Sequence, residues 1–214
     1  MTKDPKASLL LPGRRGLIAI LRGIKPEEAV GVSQVLIESG FGIIEVPLNS
    51  PQPLRSIELI SARYGGQALI GAGTVLKPQE VDDVAQAGGR LIISPNVDQH
   101  VVERSVQRGL VSMPGVLTPT EALLAVQSGA TCLKFFPASV LGAGGISAIR
   151  AILPAGTLMG AVGGVGEQSL QDYWRVGVKM FGIGASLYKP GDSLAIIKKK
   201  ADIIVEAYDK LAKD

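Results

Sequence analysis

The sequence predicts a closed (β/α)8 barrel of the TIM type, and three observations predict it. Eight short apolar runs recur along the chain, starting roughly 20 to 26 residues apart, the spacing of a strand, a loop and a helix of about ten residues. The segments between them open on Pro and acidic residues. Several close on Gly just before the next run. Strand and helix alternating through 214 residues describe a parallel sheet closed on itself, slightly short of the usual ~250 residues. A doubly wound open sheet is the alternative architecture.

Residues 1–15 read as an N-terminal leader. The apolar runs are GLIAIL from Gly16, GIIEV from Gly42, ALIGA from Ala68, RLIIS from Arg90, LVSMP from Leu110, TCLKFF from Thr131, TLMGAV from Thr157 and KMFGIG from Lys179. Helix starts are marked by Lys25-Pro26-Glu27-Glu28, Ser50-Pro51, Lys77-Pro78-Gln79-Glu80 and Thr118-Pro119-Thr120-Glu121. Pro lacks an N–H that the first helical turn does not use, and acidic side chains suit the positive end of the helix dipole. Ser39-Gly40, Ala87-Gly88, Arg108-Gly109, Ser128-Gly129 and Val176-Gly177 read as left-handed caps leading into the next strand. Residues 190–214 form a terminal amphipathic helix that closes the outer ring, with Lys198, Lys199 and Lys200 on its solvated face. No linker interrupts the pattern, so residues 1–214 read as one domain.

Composition narrows the function. With 46% hydrophobic and 19% charged residues the chain is ordinary soluble globular material, and its net charge of +3 is spread too evenly for a nucleic-acid face. A single cysteine, Cys132, rules out an internal disulfide framework and points to a reducing, cytoplasmic setting. The three-Leu run near the N-terminus is too short for a signal peptide, and no stretch approaches the ~18 apolar residues of a membrane span. The one histidine, His100, reads as a solvated residue at the start of the helix after the fourth run. It leaves no ordinary His/Cys zinc site, so no metal is expected.

In such a barrel the chemistry sits at the C-terminal ends of the strands. Those ends carry Arg22, Glu45 followed by Pro47-Leu48-Asn49-Ser50, Gly73-Thr74, Ser94-Pro95-Asn96, Lys134, Gly163-Gly164-Val165 and Gly184-Ala185-Ser186. Taken alone, Lys134 reads as a strand-end lysine with a solvated head, and Glu45 as half of a structural ion pair. Their positions change that reading. Strand alternation puts Lys134 on the face of Cys132 and sends Leu133 and Phe135 to the other; if the Lys134 face is the interior, apolar walls and nearby Arg22 lower its pKa toward a nucleophilic amine. Glu45, between Ile and Val, is desolvated and suited to proton transfer near neutral pH. Arg22 at the mouth is a natural clamp for a carboxylate, and the two Gly-rich loops after the seventh and eighth runs form a backbone cradle for phosphate. Together these groups describe a Schiff-base enzyme acting on a phosphorylated keto compound.

The motifs IAILRG ending at Gly23, EVPLNSP from Glu45, IGAGTVL from Ile70, SPN at Ser94, LKFFP around Lys134 and AVGGV before Gly166 carry a further inference. From about Gly16 to Tyr188 the chain resembles the 2-keto-3-deoxy-6-phosphogluconate/galactonate aldolases, class I pyruvate aldolases. The gluconate-type members have Thr-Leu-Arg-Thr after the second-strand Glu-Val and Pro-Thr-Gly-Gly at the seventh strand. Here Pro47-Leu48-Asn49-Ser50 and Ala161-Val162-Gly163-Gly164 depart from both, which resembles the 6-phosphogalactonate branch.

The resemblance implies cleavage of 2-dehydro-3-deoxy-6-phosphogalactonate to pyruvate and glyceraldehyde 3-phosphate. Lys134 would form the iminium and Glu45 would shuttle the proton, directly or through water. Arg22 and Thr74 would hold the carboxylate, Gly163, Gly164, Gly184 and Ser186 the phosphate, and Asn49 and Val162 would set specificity. It also implies a homotrimer and no metal or other cofactor, since the iminium is itself the electron sink. The alternatives are a gluconate-type or dual-specificity aldolase, a phosphosugar isomerase or epimerase using Glu45 as base, and a non-catalytic phosphosugar-binding protein.

Overall fold

The computed structural model describes Leu9 and residues 13–211. Nine parallel strands alternate with eight helices among these residues: β1 Leu17–Ile20, α1 Pro26–Ser39, β2 Ile43–Pro47, α2 Pro53–Tyr64, β3 Leu69–Gly73, α3 Pro78–Gln86, β4 Leu91–Ile93, α4 Gln99–Gln107, β5 Val111–Met113, β6 Gly115–Val116, α5 Pro119–Gln127, β7 Leu133–Phe135, α6 Ala138–Arg150, β8 Met159–Val162, α7 Leu170–Arg175, β9 Met180–Ile183 and α8 Leu194–Leu211. The sheet runs β5-β4-β3-β2-β1-β9-β8-β7-β6. Its two ends meet at Pro114. The run expected as LVSMP from Leu110 ends at Pro114, which has no N–H, and beyond it Gly115–Val116 add a short strand that the predicted run did not include, so β5 pairs with β4 and β6 with β7. The Ser112 carbonyl accepts from the Thr131 and Cys132 N–H groups at 2.9 and 3.2 Å, and the Pro114 carbonyl from Lys134 N–H at 2.9 Å. These bonds close the (β/α)8 barrel.

Period-two alternation divides the apolar side chains into two cores. Ile18, Ile20, Ile43, Leu91, Met113 and Met180 fill the barrel with Leu9 and Cys132, whereas Leu17, Ala19, Ile44, Val46, Leu133 and Phe135 face the helices. Inside, glycine makes room for larger neighbours: a Cβ on Gly182 would meet Val162 and Ile20. This parity decides the site. Glu45 shares its face with Ile43 and Lys134 with Cys132, so both polar side chains enter the interior.

Helix boundaries follow local chemistry. Pro26, Pro78 and Pro119 open their helices as expected, and Gly40 closes α1 in the left-handed conformation (φ +108°), its N–H returning to the Ile37 carbonyl. The second helix departs from expectation and begins at Pro53, not at Ser50-Pro51. Ser50 is otherwise engaged: its N–H closes a turn onto the Pro47 carbonyl at 2.9 Å, and its hydroxyl accepts from Gly23 N–H at 2.9 Å, tying the mouth ends of β1 and β2 together.

At the far end of the chain the helical part of 190–214 is α8, with residues 212–214 outside the described set, as are residues 1–12 of the leader apart from Leu9. Helix α8 latches the barrel: Tyr208 Oη accepts from Gly16 N–H at 2.9 Å, Asp209 receives Arg15 at 2.6 and 2.8 Å, and the Tyr208 ring meets Trp174 and Phe181 edge-on. Within the lysine run, Lys198 pairs with Asp202 and Lys200 with Asp192.

Candidate active site

Glu45 and Lys134 are 2% and 5% exposed, values that set them apart from surface ion pairs. Burial raises the Glu45 carboxyl above the ordinary range, opposed by the charges of Lys134 and Arg22. Burial likewise lowers the Lys134 amine; Arg22 adds to that and Glu45 resists it. The two groups therefore sense each other across the interior. The register places Glu45 beside Ile20 and Gly71, and Lys134 beside Gly160 and Gly115.

Two details aim these side chains. A Cβ on Gly73 would collide with the Glu45 carboxyl, so the missing side chain at the end of β3 is what gives that carboxyl its space. Among the described residues Glu45 Oε2 has no hydrogen-bond partner, an uncommon state for a buried oxygen and one that leaves it available. On the other side Lys134 Nζ lies 4.6 Å from the centroid of the Phe136 ring, within cation–π range.

At the mouth, Arg22 Nη1 donates to Asn49 Oδ1 at 2.7 Å. Thr74 adopts φ +58°, a left-handed conformation that costs a β-branched residue on the order of 1–3 kcal/mol and that tends to accompany functional sites. Thr74 follows Gly73 in the chain.

A cavity of about 750 Å³ opens at the mouth, with a wall that includes Arg22, Phe136, Val162, Gly163, Gly164, Gly184 and Ser186. Gly163 and Gly164 have φ +90° and +73°, and side chains there would meet Phe136, Pro137 and Ser139, so the loop can lie this close to the seventh strand only as glycine. Ser186 donates to the Val165 carbonyl at 3.1 Å, joining the two Gly-rich loops. The Gly184 carbonyl accepts from Leu187 and Tyr188 N–H groups, which makes residues 184–188 a single helical turn. Among the described residues no loop hydrogen bond takes up the N–H of Gly163, Gly164 or Gly184. An arrangement of free backbone donors around a concavity suits a phosphate.

The structure thus collects most of the sequence-derived candidates. Arg22, Val162, Gly163, Gly164, Gly184 and Ser186 share the cavity wall; Glu45 and Lys134 lie in the interior, linked to it through Arg22 and Phe136; Asn49 is held through Arg22. Thr74 is outside that wall. Sequence reasoning missed Phe136, Glu167, Gln168, Ser169, Tyr188 and Lys189, all of which line the cavity. Phe136 had a signal, since it shares parity with Lys134. Cys132 is a buried interior residue whose thiol pKa is pushed up by desolvation, and His100 is exposed on α4.

Comparison with known proteins bears on this geometry. The family described as "Aldolase: KDPG and KHG aldolase" matches residues 13–205. The chain belongs to this family. Within the KDPG and KHG aldolases it is 54% identical to a probable 2-dehydro-3-deoxy-6-phosphogalactonate aldolase of Rhizobium meliloti (strain 1021), with 94% of each chain covered. It is 45% identical to the 2-dehydro-3-deoxy-6-phosphogalactonate aldolase of Escherichia coli (strain K12), covering 90% of this chain and 94% of that one. The solved "Native KDPGal structure" superposes with a TM-score of 0.91 at 43% identity, covering 92% and 96% of the two chains.

Proposed function

We propose that this barrel is a class I aldolase that cleaves 2-dehydro-3-deoxy-6-phosphogalactonate to pyruvate and glyceraldehyde 3-phosphate. The observation that carries the reading is the buried Lys134–Glu45 pair, which has a depressed amine, an elevated carboxyl and an unpartnered carboxyl oxygen. An amine of lowered pKa spends more of its time as the free nucleophile. A carboxyl of raised pKa both takes and returns a proton near neutral pH.

The steps follow from those properties. Lys134 Nζ attacks the C2 ketone to give a carbinolamine, and loss of water leaves an iminium. Glu45, directly or through a water, accepts the C4 hydroxyl proton; the C3–C4 bond breaks, its electron pair moves into the iminium to form an enamine, and glyceraldehyde 3-phosphate departs. Glu45 then returns the proton to C3, and hydrolysis of the new iminium frees pyruvate and Lys134. Arg22 and Thr74 hold the carboxylate while Gly163, Gly164, Gly184 and Ser186 hold the phosphate. Asn49, fixed to Arg22, and Val162, packed over Gly182, shape the space for the C4 hydroxyl. The same reading makes residues 1–214 one domain of a homotrimeric cytoplasmic enzyme of galactonate catabolism, a location supported by the free thiol of Cys132. Among the described residues no helix is long and apolar enough to cross a membrane.

The test supplies the 6-phosphogalactonate and 6-phosphogluconate forms of the substrate, epimers at C4, and measures pyruvate. Faster release from the galactonate epimer is expected. Equal rates would remove Asn49 and Val162 as discriminating residues, and no pyruvate from either would overturn the aldolase reading.

A further inference from the structure

The charges on the cavity wall do not yet match its cargo. Three charged side chains line it: Arg22, Glu167 and Lys189. A substrate with one carboxylate and a phosphate carries a charge of about −3 at neutral pH, the phosphate supplying −1.5 to −2 of it. Arg22 is committed to the carboxylate, and the glycine N–H groups bring dipoles but no net charge. Without Lys189 the wall would sum to zero, Arg22 against Glu167.

Lys189 is built to answer this. It lies three residues beyond Ser186 on the loop after β9, and its backbone is fixed on both sides. Tyr188 N–H bonds to the Gly184 carbonyl, Tyr188 Oη donates to Glu28 Oε2 at 3.2 Å, and Lys189 N–H donates to Asp192 Oδ2 at 3.1 Å. Pro190 packs over Gly23, where a Cβ would strike it. Asp192, the nearest acid in the chain, is already occupied by the Lys200 ammonium at 2.6 Å. The Lys189 side chain is exposed at the rim, and its charge is felt by Asp192, whose carboxylate is held at hydrogen-bond distance by Lys200 and not by Lys189. A rigid backbone therefore presents a cation to the cavity beside Ser186.

We propose that Lys189 is a further phosphate-binding residue, which pairs with the substrate phosphate and supplies the net charge that the glycine loops lack. The proposal rests on the aldolase reading of the cavity. It makes capture of the substrate salt-dependent, because a rim cation acts on encounter as well as on binding.

The experiment compares Lys189→Gln and Lys189→Arg with the wild type, using the phosphorylated substrate and inorganic phosphate as a competing inhibitor. At low ionic strength K189Q should lose about tenfold in kcat/KM, the scale of one charge-assisted contact, with a comparable rise in the phosphate inhibition constant. Its kcat/KM should fall less steeply with added salt than that of the wild type, a readout that mere loss of packing would not move. K189R should recover both constants. A K189Q enzyme within about twofold of wild type, or one that keeps the wild-type salt dependence, overturns the proposal. So does a K189R variant as impaired as K189Q. Pyruvate has no phosphate, so trapping it on wild-type Lys134 checks the aldolase reading separately: an adduct with unaltered K189Q kinetics removes Lys189 alone.

Discussion

A buried lysine and a buried glutamate facing one interior tune each other, and the direction of that tuning is measurable. Burial lowers the Lys134 pKa, and the Glu45 charge partly restores it by favouring the ammonium. Replacing Glu45 by Gln removes that support, so the Lys134 pKa must fall further. The alkaline midpoint for reaction of Lys134 with pyruvate, read from adduct formation against pH, should move to lower pH in E45Q, with turnover reduced about 10²- to 10⁴-fold by loss of the proton shuttle. Unchanged turnover would take Glu45 out of the mechanism, and a midpoint moving upward would contradict the electrostatic account. At this scale the sequence was informative because the chemistry is parity: Glu45 follows Ile43, and Lys134 follows Cys132, by two residues. The wall residues Gln168, Ser169 and Tyr188 were illegible because nothing in their residue types or spacing distinguishes them from ordinary loop residues. They come to one wall only once the loops after β8 and β9 meet.

Elements matter by what their ends leave open. Strand β3 ends in Gly73, whose missing side chain houses the Glu45 carboxyl, and the next residue, Thr74, sits in a left-handed conformation. Gly73→Ala should leave the strand backbone intact, since Gly73 has ordinary extended geometry, but it must displace the Glu45 carboxyl. A shift of about 1 Å in a positioned catalytic group costs on the order of 10² in rate. Steady-state kinetics on G73A, with circular dichroism to confirm the fold, should show that loss; wild-type turnover would mean that Glu45 is not held where the geometry puts it. Strand and helix order, the Pro-initiated helices and the Gly caps could be read from sequence because each rests on a local rule. The short strand β6 beyond Pro114 and the start of α2 at Pro53 could not. Both depend on partners distant in the chain, β7 in one case and Gly23 in the other.

Across the whole molecule, closure of the sheet turns scattered residues into a site. Glu45 on β2 and Lys134 on β7 are far apart in sequence, and neither touches the other's strand in the ladder. They come together because the ring of strands closes through Ser112 and Pro114, and because α8 latches β1 with Tyr208 and Arg15. On the function proposed above, this assembly makes Lys134 the amine that bonds to the keto acid. The decisive experiment treats the enzyme with pyruvate and borohydride and locates the reduced adduct by peptide mass spectrometry. One adduct is expected, on Lys134; no adduct there, or one on an exposed residue such as Lys77, would overturn the aldolase assignment.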